Sequence, residues 1–167
     1  MKYNTDNVRI ISSAPLVSPN TLIKKIPQSA KASQGVFSAR QVIKEILYGE
    51  DKRLMVLVGP CSIHDTKAAI EYANKLLKLK EELDEDLFIV MRVYFEKPRT
   101  TVGWKGLIND PYLDESFDID KGLATARKLL SDLGEIDMPV GVEYLDVLTP
   151  QYLSDLISWG AIGVRTT

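Results

Sequence analysis

Leu54-Met55-Val56-Leu57-Val58 is a continuous apolar run, and such a run is typical of a parallel strand that is buried on both faces. Asp65 or Thr66 follows it and can cap an amphipathic helix. The same alternation then repeats, and the predicted later strands are Leu87–Met91 (extending to Phe95), Pro139–Glu143 and Ala161–Val164. Strands that alternate with helices predict right-handed βαβ units, so we expect an α/β fold with a parallel sheet of four strands.

The spacing of apolar residues predicts further helices around these strands. One begins near Val36 and ends at Gly49, where a glycine can stop it, and others start at Asp120 and at Thr149-Pro150. A long loop, 96–118, separates the second strand from the next helix. The helices therefore occupy the crossovers that a parallel sheet requires.

Residues 1–35 differ from the rest of the chain. They contain three prolines, are rich in Ser, Asn and Lys, and show little periodicity. We predict an extended arm with one short helix near 19–25, because Pro and Asn suit a first helical turn. The chain thereby divides into an arm, 1–35, and a sheet region, 36–167.

Four βα units leave two candidate folds. A (β/α)₈ barrel needs eight strands and usually about 250 residues, so this chain would be the N-terminal half of one. A small doubly wound sheet is the main alternative. Periodicity alone does not separate the two.

The composition is that of an ordinary globular protein. The chain has 167 residues, of which 45% are hydrophobic and 26% charged, and this excludes collagen, low-complexity disorder and disulfide scaffolds. A net charge of -2 gives no general attraction to nucleic acid or to an anionic membrane. No apolar run approaches the ~18 residues of a membrane span. The single cysteine and the lack of a secretory signal fit a reducing cytoplasm.

Charged residues cluster at the carboxyl ends of the predicted strands, which is where ligands bind in both candidate folds. The cations there are Arg92, Lys97, Arg99 and Arg165, and the acids are Glu143 and Glu96. Guanidinium and ammonium groups bind phosphate and carboxylate. The cation surplus therefore predicts an anionic ligand, most simply one with a phosphate.

Some of these residues have a simpler interpretation. Cys61, directly after an apolar strand, is by default a buried small hydrophobe, and His64 is equally a capping or loop residue. Arg99 is equally a solvated loop charge. Arg92 and Glu143 are harder to dismiss, because a strand buried on both faces does not hide a lone charge without a partner.

Three motifs resemble one family. They are Gly-Pro-Cys-Ser-Ile-His-Asp (59–65), the stretch 91–111 that begins Met-Arg-Val-Tyr-Phe-Glu-Lys-Pro-Arg-Thr-Thr, and Ser-Trp-Gly-Ala-Ile-Gly-Val-Arg-Thr-Thr (158–167). They closely resemble the class I 3-deoxy-D-arabino-heptulosonate 7-phosphate (DAHP) synthases, of the microbial type that aromatic amino acids regulate, and the likeness spans the whole chain. The resemblance implies the N-terminal half of a (β/α)₈ barrel, preceded by an arm and a helix.

The resemblance implies a transferase that condenses phosphoenolpyruvate with D-erythrose 4-phosphate and water, the first step of the shikimate pathway, with a divalent metal such as manganese. Lys97 and Glu143 are the implied catalytic residues, Glu143 as the acid that organises water near the reacting carbon, and Cys61 is an implied metal ligand. The implied substrate-binding residues are Arg92, Lys97, Val164 and Arg165, with Pro98, Arg99 and Thr100 for erythrose 4-phosphate.

The resemblance also implies inhibition by an aromatic amino acid, with phenylalanine favoured over tyrosine. The implied effector-binding residues are Asp6, Asn7, Asp146, Pro150 and Gln151. In relatives the arm reaches a neighbouring subunit. A homo-oligomer, either a dimer or a tetramer, is therefore expected, with no nucleic-acid or membrane partner.

The other metal ligands of the family belong to the second half of its barrel, and this sequence contains none of them. We therefore expect the chain to be truncated after its fourth strand, and the 167 residues alone to be inactive. The alternative is a non-catalytic fragment that binds phosphoenolpyruvate or an effector without turnover.

Overall fold

The structure is a computed structural model that describes residues 3–10, 12–99 and 102–163. Its strands are β1 (Leu54–Val58), β2 (Leu87–Arg92), β3 (Val140–Tyr144) and β4 (Trp159–Ile162). Its helices are α1 (Pro19–Lys25), α2 (Ala30–Tyr48), α3 (Thr66–Glu82), α4 (Ile119–Glu135) and α5 (Thr149–Leu153), and a 3₁₀ turn (Ser154–Leu156) follows α5. Each crossover between consecutive strands contains a helix, as the sequence predicts.

The four strands form one parallel sheet in the order β1-β2-β3-β4. In a doubly wound sheet the strand order reverses at a switch point, whereas the strands of a (β/α)₈ barrel follow one another in chain order. The sheet is also strongly curled. The side chain of Leu57 on β1 lies 3.2 Å from the position that a Cβ atom on Gly141 of β3 would occupy, across the intervening strand. The strand order and the curl of the sheet confirm the prediction of half a (β/α)₈ barrel and exclude the doubly wound alternative.

Alternate residues of each strand face opposite sides of this sheet. On the outer side, Ile89 and Met91 of β2 are buried in the main core, to which α3 and α4 contribute. On the concave side, Phe88 and Val90 pack against Ile43 of α2. The strand residues that cluster with α2 include Met55, Phe88 and Trp159, which lie near the amino-terminal ends of their strands. The α2 helix therefore leaves the carboxyl ends of the concave side uncovered.

The helices meet at a junction centred on Arg127 of α4, whose side chain is fully buried. Its guanidinium donates to the carbonyl oxygens of Ile26 and Tyr152, each at 2.7 Å, and to both carboxylate oxygens of Asp155, at 2.7 and 2.8 Å. The Tyr152 hydroxyl donates in turn to the carbonyl oxygen of Val17 at 2.8 Å. This Arg127 junction therefore holds the end of the arm and α1 against α4 and α5.

The second helix is longer than the sequence predicts. It begins at Ala30 rather than near Val36, because the hydroxyl of Ser29 accepts a hydrogen bond from the N–H of Ala32 and caps the helix. The helix therefore crosses the expected end of the arm at residue 35. It stops where predicted, at Gly49, which adopts the left-handed conformation with φ 76°.

Three strand predictions need correction. β1 is only partly buried, because among the described residues it is an edge strand that pairs with β2 alone, and Leu54 is 66% exposed. β2 ends at Arg92 rather than Phe95, since the chain then turns into the long loop. β4 starts at Trp159, two residues before the predicted Ala161. No helix in the described part of the chain is both long and apolar enough to cross a bilayer.

Candidate active site at the carboxyl edge

The turn after β1 brings the 59–65 motif against β2. A Cβ atom on Gly59 would lie 2.6 Å from the carbonyl oxygen of Arg92, so a glycine is needed for the two segments to approach this closely. Beyond the turn, the N–H of Ile63 donates to the carbonyl oxygen of Tyr94 at 2.8 Å. These contacts hold the cysteine of the motif beside the carboxyl end of β2.

Cys61 is exposed, so its interpretation as a buried small hydrophobe is wrong. The Nζ atom of Lys97 donates a hydrogen bond to its Sγ atom at 2.8 Å. This hydrogen bond and the charge of Lys97, with smaller contributions from Arg92 and Arg99, lower the pKa of the Cys61 thiol. The arrangement favours the thiolate, which is the form that binds metals and reacts as a nucleophile.

Arg92 stands at the carboxyl end of β2 on the concave side. One of its Nη atoms donates to the carbonyl oxygen of Cys61 at 3.3 Å, and its Cζ atom lies 4.0 Å from the centre of the Tyr94 ring. Its Nε atom is buried and has no hydrogen-bond partner among the described residues. Since native proteins pair almost all buried donors, this N–H indicates a position for a ligand oxygen.

The loop after β2 folds back so that 96–99 lies alongside 102–106, and these two segments are called the 96–106 hairpin. Residues 97–99 lie at the same edge. Glu96 forms an antiparallel bridge with Gly106, and the N–H of Lys97 donates across the hairpin at 3.0 Å. Gly106 has φ 111°, and a Cβ atom there would overlap the opposite backbone, so a side chain is excluded. The 96–106 hairpin therefore fixes where the Lys97 side chain begins.

Pro98 and Arg99 are exposed further along the hairpin. The Nε atom of Arg99 lies 3.6 Å from the position of a Cβ atom on Gly103, and the ammonium of Lys105 donates to the carbonyl oxygen of Arg99 at 3.1 Å. The charge of Arg99 also helps to lower the pKa of the Cys61 thiol. Arg99 is exposed at the same edge, and its assignment to the substrate site stays a prediction.

Glu143 of β3 faces the concave side, two residues beyond Gly141, which is the register partner of Arg92. Its carboxylate lies against Gly163, where a Cβ atom would overlap Oε1. Glu143 and Arg92 therefore stand on adjacent strands and on the same side of the sheet, near its carboxyl edge. The other predicted substrate-binding residues, Thr100, Val164 and Arg165, lie outside the described residues.

Two acids, Glu96 and Asp146, join the 96–106 hairpin to the turn after β3. Glu96 is 8% exposed, and the carboxyl of Asp146 and the amide of Asn109 are within hydrogen-bonding reach of its carboxyl. Burial, followed by the charge of Asp146, raises the pKa of Glu96 to about 7. Burial also acts on Asp146, but hydrogen bonds from Thr149 and Leu148 outweigh it and lower the Asp146 pKa. The sequence singles out both residues but does not predict that they meet.

The predicted effector residues fall in two groups. Asp6 and Asn7 are exposed in the arm, and their hydrogen bonds among the described residues go to each other and to near neighbours in the arm. Asp146, Pro150 and Gln151 lie together at the start of α5. The assignment of an effector to these residues stays a prediction.

Cys61 is the described residue best suited to bind a metal, because its thiol is exposed and its pKa is lowered. The described residues contain no group of three His, Cys, Asp or Glu side chains that could hold an ion. They therefore fit one ligand of a metal site. The divalent metal stays a prediction.

Comparisons with known proteins agree with one another. The sequence profile of the DAHP synthetase I family matches residues 25–167. The Phe-sensitive phospho-2-dehydro-3-deoxyheptonate aldolase of Escherichia coli strain K12 is 58% identical over 167 residues, which are 100% of this chain and 48% of that protein. The tyrosine-inhibited phospho-2-dehydro-3-deoxyheptonate aldolase of Candida albicans is 53% identical over 163 residues, 97% of this chain and 44% of that protein.

The solved structures include a protein of the same name. The phospho-2-dehydro-3-deoxyheptonate aldolase of Francisella tularensis SCHU S4 matches with a TM-score of 0.90 and 52% sequence identity, over 93% of this chain and 46% of that one. The chain therefore spans about half the length of the curated relatives it matches. Sequence and fold both match the N-terminal half of those relatives.

Proposed function

The chain belongs to the DAHP synthetase I family, and we propose that the intact protein condenses phosphoenolpyruvate with D-erythrose 4-phosphate and water to give DAHP and phosphate. The observation that carries this proposal is Arg92, a cation at the carboxyl edge with a buried N–H that lacks a partner among the described residues. Both substrates carry a phosphate group. The cations gathered around Arg92 have the charge that such substrates need.

The reaction requires two anions to be brought together, and fixed cations reduce the cost of doing so. Arg92 would bind phosphoenolpyruvate as a planar fork that Tyr94 holds in place, and Lys97 would act on it as a point charge. Pro98 and Arg99, further along the hairpin, would contact erythrose 4-phosphate. This division of the residues between the two substrates is the one that the resemblance to the family implies.

Glu143 would orient the water that adds to C2 of phosphoenolpyruvate while C3 forms the new bond to the aldehyde carbon. Its place on the concave side, one strand away from Arg92, supports this role. Addition of water at C2 is followed by cleavage of the C2–O bond, and the phosphate leaves. Arg165, predicted to bind that phosphate, lies outside the described residues.

Cys61 would be one ligand of a divalent metal, and further ligands would come from outside the described residues. A bound divalent ion would supply Lewis-acid polarisation of the aldehyde oxygen. Lys97 keeps the pKa of the Cys61 thiol low, and this prepares the thiolate for binding.

Regulation by an aromatic amino acid is also part of the proposal. The effector would bind near Asp146, Pro150 and Gln151, with Asp6 and Asn7 of a neighbouring subunit, in a cytoplasmic homo-oligomer. The names of the relatives support such regulation, since one is Phe-sensitive and another tyrosine-inhibited. Of these two, the Phe-sensitive relative has the higher identity to this chain, and this favours phenylalanine.

The test is equilibrium binding of phosphoenolpyruvate to the intact protein, followed by product formation with both substrates. Arg92→Met should weaken phosphoenolpyruvate binding about tenfold or more, as expected for the loss of charge-assisted hydrogen bonds. Lys75→Met is the matched control. It removes one positive charge from an exposed ion pair with Glu71 on α3, away from the carboxyl edge.

Equal weakening in both variants would show that the overall charge, and not Arg92, attracts the substrate. Binding without product formation would contradict the condensation and support a chain that only binds phosphoenolpyruvate.

A further inference from the structure

Glu96 is a buried titratable group, 8% exposed, for which the proposed reaction has no use. We propose that it is a positioning residue: the protonated Glu96 carboxyl donates a hydrogen bond to the Asp146 carboxylate, and this Glu96–Asp146 brace holds Lys97 against Cys61 in the arrangement that binds substrate. The inference rests on the proposed function, because the substrate is the one proposed for Lys97. It assigns to Glu96 a role that requires a proton.

The backbone of Glu96 is fixed on both sides. Its bridge to Gly106 closes the 96–106 hairpin, and the next residue, Lys97, is held by a hydrogen bond across that hairpin. The Oε2 atom of Glu96 is buried and has no hydrogen-bond partner among the described residues. A buried carboxylate oxygen without a donor is unfavourable, whereas a protonated oxygen at the same place can donate.

Asp146 is suited to accept that hydrogen bond. Its Oδ1 atom accepts from the N–H groups of Leu148 at 2.6 Å and of Thr149 at 2.7 Å, and its Oδ2 atom accepts from the Thr149 hydroxyl at 2.8 Å. These donors, together with its exposure to solvent, keep Asp146 ionised. The proton of the pair therefore resides on Glu96.

The remaining surroundings of Glu96 agree with this assignment. The groups that face it are the Asp146 carboxyl and the Leu145 N–H from the turn after β3, and the Asn109 amide from the loop after the hairpin. Of these, only Asp146 is charged. Burial raises the pKa of Glu96 to about 7, so the proton is lost as the pH rises through neutrality. Two carboxylates then repel each other across the brace.

The brace affects the site through Lys97, its neighbour in the chain. Lys97 is the residue after Glu96, and its ammonium lies 2.8 Å from the Cys61 sulfur. When the brace opens, the 96–106 hairpin loses its tie to the turn after β3, and the start of the Lys97 side chain is less well fixed. Binding of phosphoenolpyruvate should therefore weaken above neutral pH.

The experiment measures the dissociation constant of phosphoenolpyruvate from about pH 6 to pH 8.5 in the intact protein and in Glu96→Gln. Glutamine keeps a donor for Asp146 but does not ionise. We expect the affinity of the unmodified protein to fall about fivefold relative to Glu96→Gln across this range, as for the loss of one ordinary hydrogen bond. The ionisation of phosphoenolpyruvate affects both proteins equally. The ratio of their dissociation constants therefore reports only the ionisation of Glu96. A ratio that does not change with pH would overturn the proposal.

A second readout does not depend on the substrate. Hydrogen exchange at the Lys97 amide, corrected for the intrinsic effect of pH, should become faster above neutral pH in the unmodified protein but not in Glu96→Gln. If phosphoenolpyruvate does not bind at any pH, the proposed function fails, and the exchange data still decide whether the brace exists.

A second variant tests the brace if Glu96→Gln fails to fold. Asp146→Asn removes the carboxylate that repels ionised Glu96, so hydrogen exchange at Lys97 should no longer become faster above neutral pH. An unchanged acceleration in Asp146→Asn would overturn the brace.

Discussion

Arg127 and Arg92 are two arginines with buried nitrogen atoms, and their surroundings are opposite in kind. In the Arg127 junction, four hydrogen bonds of 2.7–2.8 Å to Ile26, Tyr152 and Asp155 engage the guanidinium. At the carboxyl edge, Arg92 makes one hydrogen bond of 3.3 Å and keeps a buried N–H without a partner among the described residues. A cation whose three nitrogen atoms are all engaged stabilises the fold. A cation with an unpaired N–H group can bind a ligand.

The largest expected effect is on stability at the Arg127 junction. Arg127→Met leaves two carbonyl oxygens and the Asp155 carboxylate without their donors, so the free energy of unfolding should fall by about 3 kcal/mol. Arg92→Met should change it by less than about 1 kcal/mol, because little bonding is lost. Urea unfolding of the two variants measures the difference. Equal losses would remove the distinction between a structural and a binding arginine.

A smaller effect is expected at the carboxyl edge, in the chemistry of the sole cysteine. Lys97→Met removes the hydrogen bond and the charge that lower the pKa of the Cys61 thiol. Alkylation of Cys61 at pH 7 should therefore slow several-fold, and the midpoint of its pH dependence should rise. Lys105→Met is the control, since Lys105 donates to the carbonyl oxygen of Arg99 and not to the sulfur. If both variants slow equally, the nearby positive charge as a whole controls the thiol.

The smallest effect concerns the tie between the arm and the Arg127 junction. Tyr152→Phe removes one hydrogen bond, to the carbonyl oxygen of Val17, and should lower the free energy of unfolding by about 1 kcal/mol. The arm should also become more susceptible to limited proteolysis near residue 17. Tyr48→Phe, at a tyrosine that is 74% exposed, serves as the control. Unchanged protection of the arm in Tyr152→Phe would mean that other contacts hold it.

Much of the fold follows from local patterns in the sequence. Apolar runs such as 54–58 predict strands, and alternation with helices predicts the parallel sheet. Gly49 marks the end of α2, as its left-handed conformation confirms. The gathering of Arg92, Lys97 and Glu143 also follows, because residues that end parallel strands meet at one edge. These inferences succeed because they depend on spacing along the chain.

Other features depend on contacts between distant segments. Cys61 looks like a core residue in the sequence, but it is exposed in the structure, and the approach of Lys97 lowers the pKa of its thiol. The pairing of Glu96 with Asp146 likewise requires the hairpin and the turn after β3 to be placed in space. The position of Arg127 in the apolar stripe of α4 indicates from the sequence that the residue is buried. The sequence does not identify its hydrogen-bond partners.

The chain-order sheet also has a consequence for how the protein is made. Each strand from β2 onward pairs with the strand that precedes it, so it meets a partner that has already left the ribosome. The arm is the exception. The carbonyl oxygen of Val17 accepts its hydrogen bond from Tyr152, which is synthesised 135 residues later. A segment that emerges before the sheet is therefore among the last to reach its final place.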